Sequence, residues 1–367
     1  MNRTVFYFAT TQFEGARQLV QLPNTHPASR LHGHSFQTVV VTPVNTQWEN
    51  RIGMQMNTLM TALHTAVEPL NYADLNRQLP MPSDAHLAHW LNTRLALPNA
   101  TLFVNSTPQQ GAELTANHVV ILKRRYQFEA AHYLPQVPNG HPCGRMHGHR
   151  FGVILRICAL ELNVVTHSEQ CNQLDALWQT LSIELHHQCL NHVPGLENPT
   201  SEHLCQWIWQ RLTSACPALF GVAVIETATA GCHYDGQQFC IWKDQRFESA
   251  RQLCVAPAGD GHQQLQGHSY LLRLHLCAPL DTVLGWTVDY GEVKALFQPI
   301  YAQLDHHLLN ELPQLTDTDV GSLVTWISAR ATNTQPELVA VELQQQPGCG
   351  AICCVGESLP PFLMLDH

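Results

Sequence analysis

One frame occurs three times in this chain, and its spacing constrains the fold more than any other feature. FEGAR (13–17) is followed by LHGHSF (31–36), FEAAH (128–132) by MHGHRF (146–151), and FESAR (247–251) by LQGHSY (265–270). From the Phe to the last histidine is 21 residues in every copy. A period near one third of the 367 residues predicts three related units, within the two or three domains that such a length allows. We place the units at residues 1–118, 119–237 and 238–367. No Gly/Ser- or Pro-rich linker marks either junction, and Gln237–Trp242 leads almost at once into Gln245-Arg246-Phe247-Glu248. Direct strand-to-strand joints predict units packed in one continuous sheet.

Each unit reads as β-β-α-α-β-β. In the middle unit Val119–Phe128 and Arg150–Leu160 are rich in Val, Ile and aromatics, the mark of strands. Leu174, Leu177, Trp178, Leu181 and Leu185 then recur at helical spacing. A second helix starts at Thr200-Ser201-Glu202, with a hydroxyl cap and an acid in the first turn. Val222–Thr227 and His233–Trp242 supply the last strands. The outer units repeat this order, with helices around 52–69 and 85–96, and around 291–309 and 320–331. Antiparallel sheet with two helices per unit makes the class α+β, and the first unit is expected to close a sheet whose edges would otherwise be exposed.

Composition narrows the function. A net charge of −10 offers no general pull toward nucleic acid or anionic lipid, and no run of about 18 apolar residues is present to span a membrane. The start, MNRTVFYFATTQFEGAR, reads as a strand and not a signal peptide. Thirteen cysteines without framework spacing are expected to stay reduced, with the cytosol as default compartment. No dinucleotide fingerprint follows a strand.

The chemistry concentrates in the middle copy. His147 and His149 stand two apart on a strand, so both imidazoles leave one face, and His132 ends the strand before. Three imidazoles suit Zn2+ and leave a fourth position open, the catalytic pattern. In the first unit Arg17 replaces the first histidine, leaving His32 and His34. In the third, Arg251 and Gln266 leave only His268. An arginine cannot become a ligand, so neither unit should hold a comparable site; each arginine is read as a tethered cation filling the vacated space. Cys143 precedes the HGH pair by four residues, where the other units have Ala28 and His262. A thiol beside a dication has its pKa lowered and can act as base or nucleophile.

The segments FEAAHYLPQVPNGHPCGRMHGHRF, LNHVPGLENPTSEHLCQWIW and ETATAGCHYDG resemble the 6-pyruvoyltetrahydropterin synthase family, and within it the bacterial queuosine branch, the 6-carboxy-5,6,7,8-tetrahydropterin synthases. The flanking units match more loosely. The resemblance implies the tunnelling fold (T-fold): a covalent pseudo-trimer closed into an antiparallel β-barrel with helices outside, two such barrels pairing as a homodimer. It implies zinc on His132, His147 and His149, and a catalytic Cys143. It implies a pterin ring anchored by Glu226-Thr227 beside Thr200 and Ser201, with Glu342 of the third unit as another candidate anchor.

The family's Asp-His motif LDHHxLN departs from pattern in the middle unit, where His186 stands in place of Asp and His187 follows as a candidate catalytic histidine. The third unit keeps Asp305-His306. The resemblance therefore implies one composite site, with zinc and Cys143 from the middle unit and Asp305 and His306 from the third. The reaction implied is zinc-dependent conversion of a small pterin triphosphate, 7,8-dihydroneopterin triphosphate, to 6-carboxy-5,6,7,8-tetrahydropterin with loss of acetaldehyde and triphosphate. The alternatives are triphosphate elimination with the side chain retained, as in 6-pyruvoyltetrahydropterin synthases, and a non-catalytic pterin-binding scaffold.

Overall fold

An aromatic pair sets the register of each copy of the frame. Phe13 lies opposite Phe36, Phe128 opposite Phe151 and Phe247 opposite Tyr270. Their rings stack at centroid distances of 4.9, 5.0 and 4.8 Å. Such cross-strand pairs hold a register against a slip that would turn every side chain to the wrong face. The computed structural model describes residues 2–43, 53–281, 285–357 and 359–360.

The same order of elements runs through the chain three times. The first third contains β1 (Arg3–Arg17), β2 (His32–Pro43), α1 (Gln55–Val67), the short β3 (Ala73–Asp74), α2 (Asp84–Leu95), β4 (Thr101–Thr107) and β5 (Gln110–Leu114). Next come β6 (Val120–His132), β7 (His147–Cys158), α3 (Val164–Leu185), α4 (Ser201–Leu212), β8 (Leu219–Thr227) and β9 (Ala230–Tyr234). The last third has β10 (Phe239–Arg251), β11 (Gln266–Ala278), α5 (Tyr290–Leu304), β12 (His307–Leu308), α6 (Val320–Ala331), β13 (Leu338–Gln346) and β14 (Cys349–Val355). Residue 52, where the first helix is expected to begin, lies outside the described residues. The expected strand His233–Trp242 is two strands, broken by a turn at 235–238 with Gly236 at φ +92°.

Antiparallel pairing runs from β1 through β2, β4, β5, β6, β7, β8, β9, β10, β11, β13 and β14, and β14 pairs back onto β1. The result is a closed barrel of 12 strands among the described residues, which leaves no long edge. Period-two alternation divides each strand's side chains. Phe6, Phe8, Val39, Val41, Phe103 and Ile352 pack inside. Tyr7, Phe13, Val40 and Val104 face outward into one apolar layer shared with Leu59, Leu63, Leu87 and the other helices. The interior also carries the buried ion pairs Arg156–Glu113 and Arg273–Asp244. Cys240 and Cys277 stand opposite on β10 and β11 and form a disulfide, against the expectation that every cysteine is reduced.

Where one third meets the next, the chain entering the first helix lies over the preceding loop. Asn57 Nδ2 contacts His262 Nε2 at 2.9 Å, Ser168 Oγ contacts His26 Nε2 at 3.2 Å, and Thr200 Oγ1 donates to the Gly285 carbonyl at 2.5 Å. Each site position is thus built from two consecutive thirds.

Candidate metal centre

His132 ends β6 directly opposite His147, the first residue of β7, and His149 follows on the same face. Backbone carbonyls orient two of these rings: His132 Nδ1 lies 3.0 Å from Pro199 O, and His147 Nδ1 lies 2.8 Å from Arg145 O. With Nδ1–H donated to a carbonyl, each Nε2 is left as a lone-pair donor. Glu226, near the end of β8, brings Oε1 to 3.8 Å from His132 Nε2 and 3.6 Å from His149 Nε2. One ligand atom from each of His132, His147, His149 and Glu226 lies within 4.8 Å of all the others. Among the described residues this is the one group of three or more such side chains placed to hold an ion.

The donor set fits a metal on its own chemistry. The Nε2 atoms of His132 and His149 are buried without a hydrogen-bond partner, a cost that coordination would remove. Burial, and then the neighbouring imidazoles, hold both histidines below their ordinary pKa against the pull of Glu226. They are therefore neutral at neutral pH, as ligands must be. Ser201 donates its hydroxyl to Glu226 Oε2 and fixes that carboxylate from the start of α4.

Cys143 sits half-buried on a single 3-10 turn capped by His141, whose Nδ1 accepts from the Cys143 amide at 3.2 Å. Burial first, then the Glu226 and Asp289 carboxylates, raise its thiol in the metal-free protein; a dication at the histidines would oppose that shift. Asp289 belongs to the third unit and caps α5 with Oδ1, while its Oδ2 lies 3.4 Å from His141 Nε2. Glu202, fully buried, accepts from the Thr287 amide at 2.7 Å and from its hydroxyl at 3.1 Å. The third unit therefore does reach the site, through Gly285–Tyr290.

Asp305 and His306 lie elsewhere. Asp305 Oδ1 accepts from the Glu248 amide at 2.9 Å and Oδ2 meets His306 Nδ1 at 2.8 Å, with the His306 side chain 78% exposed. Glu226 is level on the sheet with Lys243 of β10, through Thr227↔Ala230 and Ala230↔Lys243. Glu248 is five residues further on, on the order of 16 Å along the strand. The expected meeting of this pair with Cys143 inside one chain does not occur. The same geometry recurs without the Asp-His chemistry: Asn71 Oδ1 and His186 Nδ1 accept from the Glu14 and Glu129 amides. Tyr72, His187 and His306 all follow at positive φ, donating their amides to Glu14, Glu129 and Glu248. The motif is a helix-end device that Asn, His or Asp can serve.

Other expected site residues divide. Thr200 caps α4, and Ser201 at its start donates to Glu226 beside the three imidazoles. Thr227 is exposed, and its hydroxyl accepts from the Thr229 amide in the β8–β9 turn. His187 is exposed on the outer rim, its Nε2 3.5 Å from Glu129. Glu342 is corrected by register: the paired bulges place Gln345, not Glu342, where Glu226 stands. Glu342 shares the inward face of β13 with Ala340 and lies 3.6 Å from His275. Sequence reasoning assigned no role to Asp289 or His141; the only signal was the run Gly285–Tyr290 ahead of α5.

The outer copies explain how arginine can replace the first ligand. Arg17 NH1 donates to Pro82 O at 3.0 Å and Arg251 NH1 to Thr318 O at 2.9 Å, the carbonyls equivalent to Pro199 O. Each of these side chains donates to that carbonyl, and histidine, unlike arginine, does so while keeping a ring lone pair for a metal.

The sequence profile of the family described as 6-pyruvoyl tetrahydropterin synthase matches residues 121–237 and again 240–354. The chain is 36% identical over 121 residues to the 6-carboxy-5,6,7,8-tetrahydropterin synthase of Synechocystis, covering 31% of this chain and 92% of that protein. Solved structures that match include the 6-pyruvoyl tetrahydropterin synthase of Caenorhabditis elegans, at 14% identity and a TM-score of 0.29, covering 31% of this chain and 94% of that one. A uricase from Arthrobacter globiformis matches at 12% identity and a TM-score of 0.33, over 65% of this chain and 97% of that one. Because the family profile covers well over half of its length, the chain belongs to the 6-pyruvoyl tetrahydropterin synthase family.

Proposed function

We propose that the chain is a zinc-dependent carbon–carbon lyase of the 6-carboxy-5,6,7,8-tetrahydropterin synthase type, converting 7,8-dihydroneopterin triphosphate and one water to 6-carboxy-5,6,7,8-tetrahydropterin, acetaldehyde and triphosphate. The observation that carries this reading is the three-imidazole cluster with Cys143 and Glu226 at its edge, under a cover from the third unit. His132, His147 and His149 would hold the zinc, which when bound polarises the substrate's side-chain oxygens and acidifies the adjacent C–H bond. Glu226, steadied by Ser201, can accept from adjacent N–H donors of a pterin ring. The Cys143 thiolate takes a proton, and the His141–Asp289 pair lies next to it to return or relay one. The Gly285–Tyr290 cover limits water around these groups. Asp305–His306 would serve a site formed with a second chain, in the homodimer of barrels that we propose.

Metal analysis tests the reading first: about one zinc per chain is expected, and none sinks it. Incubation with 7,8-dihydroneopterin triphosphate then separates the enzyme reactions. Acetaldehyde release with a carboxylated product supports the lyase. Triphosphate release with the side chain retained would assign the pyruvoyl-type elimination that the family description names.

A further inference from the structure

A cavity of about 860 Å3 lies in the first unit at the place equivalent to the metal-type cluster, against the start of α3. Arg17, His32, His34 and Ser106 stand there where the middle unit has His132, His147, His149 and Glu226. The size falls within the range of small-molecule sites.

Its openness has a cause in the chain. Five residues, 159–163, join β7 to α3, whereas eleven, 279–289, join β11 to α5. In the middle unit residues 166–170, the counterpart of 285–289, are the first turns of the longer α3, and His167 and Ser168 line the cavity instead of a loop laid across it. Counting back fourteen residues from the helix ends Leu185 and Leu304, Cys171 takes the place of the bulky Tyr290. Ala85 replaces the clamping Glu202 as the second residue of α2.

The walls suit an amphipathic anion. Leu19, Leu22 and Val164 form a buried apolar side. Arg17, Arg30, Lys123 and Arg124 line the cavity against one carboxylate, Asp84, in a chain of net charge −10. Arg124 is also paired with Asp175 behind the wall. Arg17 is 3% exposed, and NH1 is spent on Pro82 O and Asp84. Its Nε–H has no partner. The equivalent Arg251 is satisfied, donating Nε–H to His268 at 3.3 Å. The first-unit arginine thus retains a buried, unused donor beside an open cavity.

We propose that this cavity is a second, metal-free binding site, taking a small organic anion with an apolar body, of the aromatic carboxylate class. The carboxylate meets the Arg17 side and the apolar body packs on Leu19, Leu22 and Val164. The site is separate from the proposed lyase centre and does not depend on its chemistry.

The test is isothermal titration of the full chain carrying His149→Ala and Glu226→Gln, in chelator, so that both the metal and the pterin anchor of the middle site are removed. The probes are aromatic monocarboxylates from benzoate to pterin-6-carboxylate, with inorganic phosphate as a charge lacking an apolar body. At least one carboxylate should bind once per chain, at least about tenfold tighter than phosphate. Arg17→Gln should weaken it by about tenfold or more, and Cys171→Tyr, which restores the bulk of Tyr290, should abolish it. If Arg17→Gln does not fold, Cys171→Tyr decides alone. No binding by any carboxylate, phosphate binding equally well, or a folded Cys171→Tyr that binds like its parent would each overturn the proposal.

Discussion

The middle and first units present the same frame at the same level of the barrel, and they differ by an exchange of charge. In the middle unit β6 ends in an imidazole, β8 carries a carboxylate and α4 starts with a hydroxyl that donates to it. In the first unit β1 ends in a guanidinium, β4 carries the hydroxyl of Ser106 and α2 starts with the carboxylate of Asp84, which accepts from it at 2.8 Å. The hydroxyl–carboxylate bond survives with its members swapped. Moved to the helix start, the carboxylate pairs with Arg17 at 2.6 Å. The comparison teaches that the scaffold's demands at this place are local hydrogen bonds, and that one residue at a strand end decides whether it binds an ion or carries its own cation.

Five substitutions would break or sharpen this comparison. His149→Ala should have the largest effect: loss of the metal and at least about a thousandfold of turnover, measured by metal content and acetaldehyde release. Retained metal would mean that the cluster is not the centre. Arg17→His should be the next largest, because His32, His34 and the Pro82 carbonyl are already in place. Bound zinc should rise toward about two per chain; an unchanged value would show that Glu226 or the cover is also required.

Asp289→Asn should lower turnover by about tenfold. It should also move the acid limb of the pH–rate profile to lower pH, since that carboxylate raises the Cys143 thiol. An unmoved limb would remove Asp289 from the site. Glu202→Gln acts on stability. Burial pushes the Glu202 carboxyl from 4.5 to about 7, so the native state binds this proton more tightly than the unfolded chain. Its contribution is complete below about pH 4.5 and lost as pH rises through about 7. The Gln variant should flatten that fall in thermal melts taken from about pH 4 to 8. Asp305→Asn should have the smallest effect, a change in Tm of about 1 °C or less, because Asn71 performs the same helix-end task. Lost turnover that returns on mixing with Cys143→Ala chains would instead place the pair in a site between chains.

The metal set was readable because its rules are local. Residues 147 and 149 share a face by period two, and antiparallel pairing brings 132 opposite 147. Helix caps at Thr200 and the apolar spacing of 174–185 were legible for the same reason. The third-unit carboxylate that meets His141 beside Cys143 was not legible. Asp289 lies 146 residues away and its only local mark is an N-cap, a role it also fills. Where Asp305–His306 acts was not legible, because a hydrogen-bonding motif at a helix end has the same sequence whether or not it also does chemistry. Glu342 misled because counting along a strand cannot see the bulge that moves Gln345 into register.

By itself the sequence determined the repeat, the α+β class, the order of elements and which third could hold an ion. These follow from spacing, side-chain volume and the inability of arginine to lose its proton. Only the tertiary structure decided which part of the third unit reaches Thr200, Glu202 and His141, and that the first unit keeps an open cavity. Those outcomes depend on how long each connection is relative to the surface it must cross, a property of two packed units that neither unit's residues display alone.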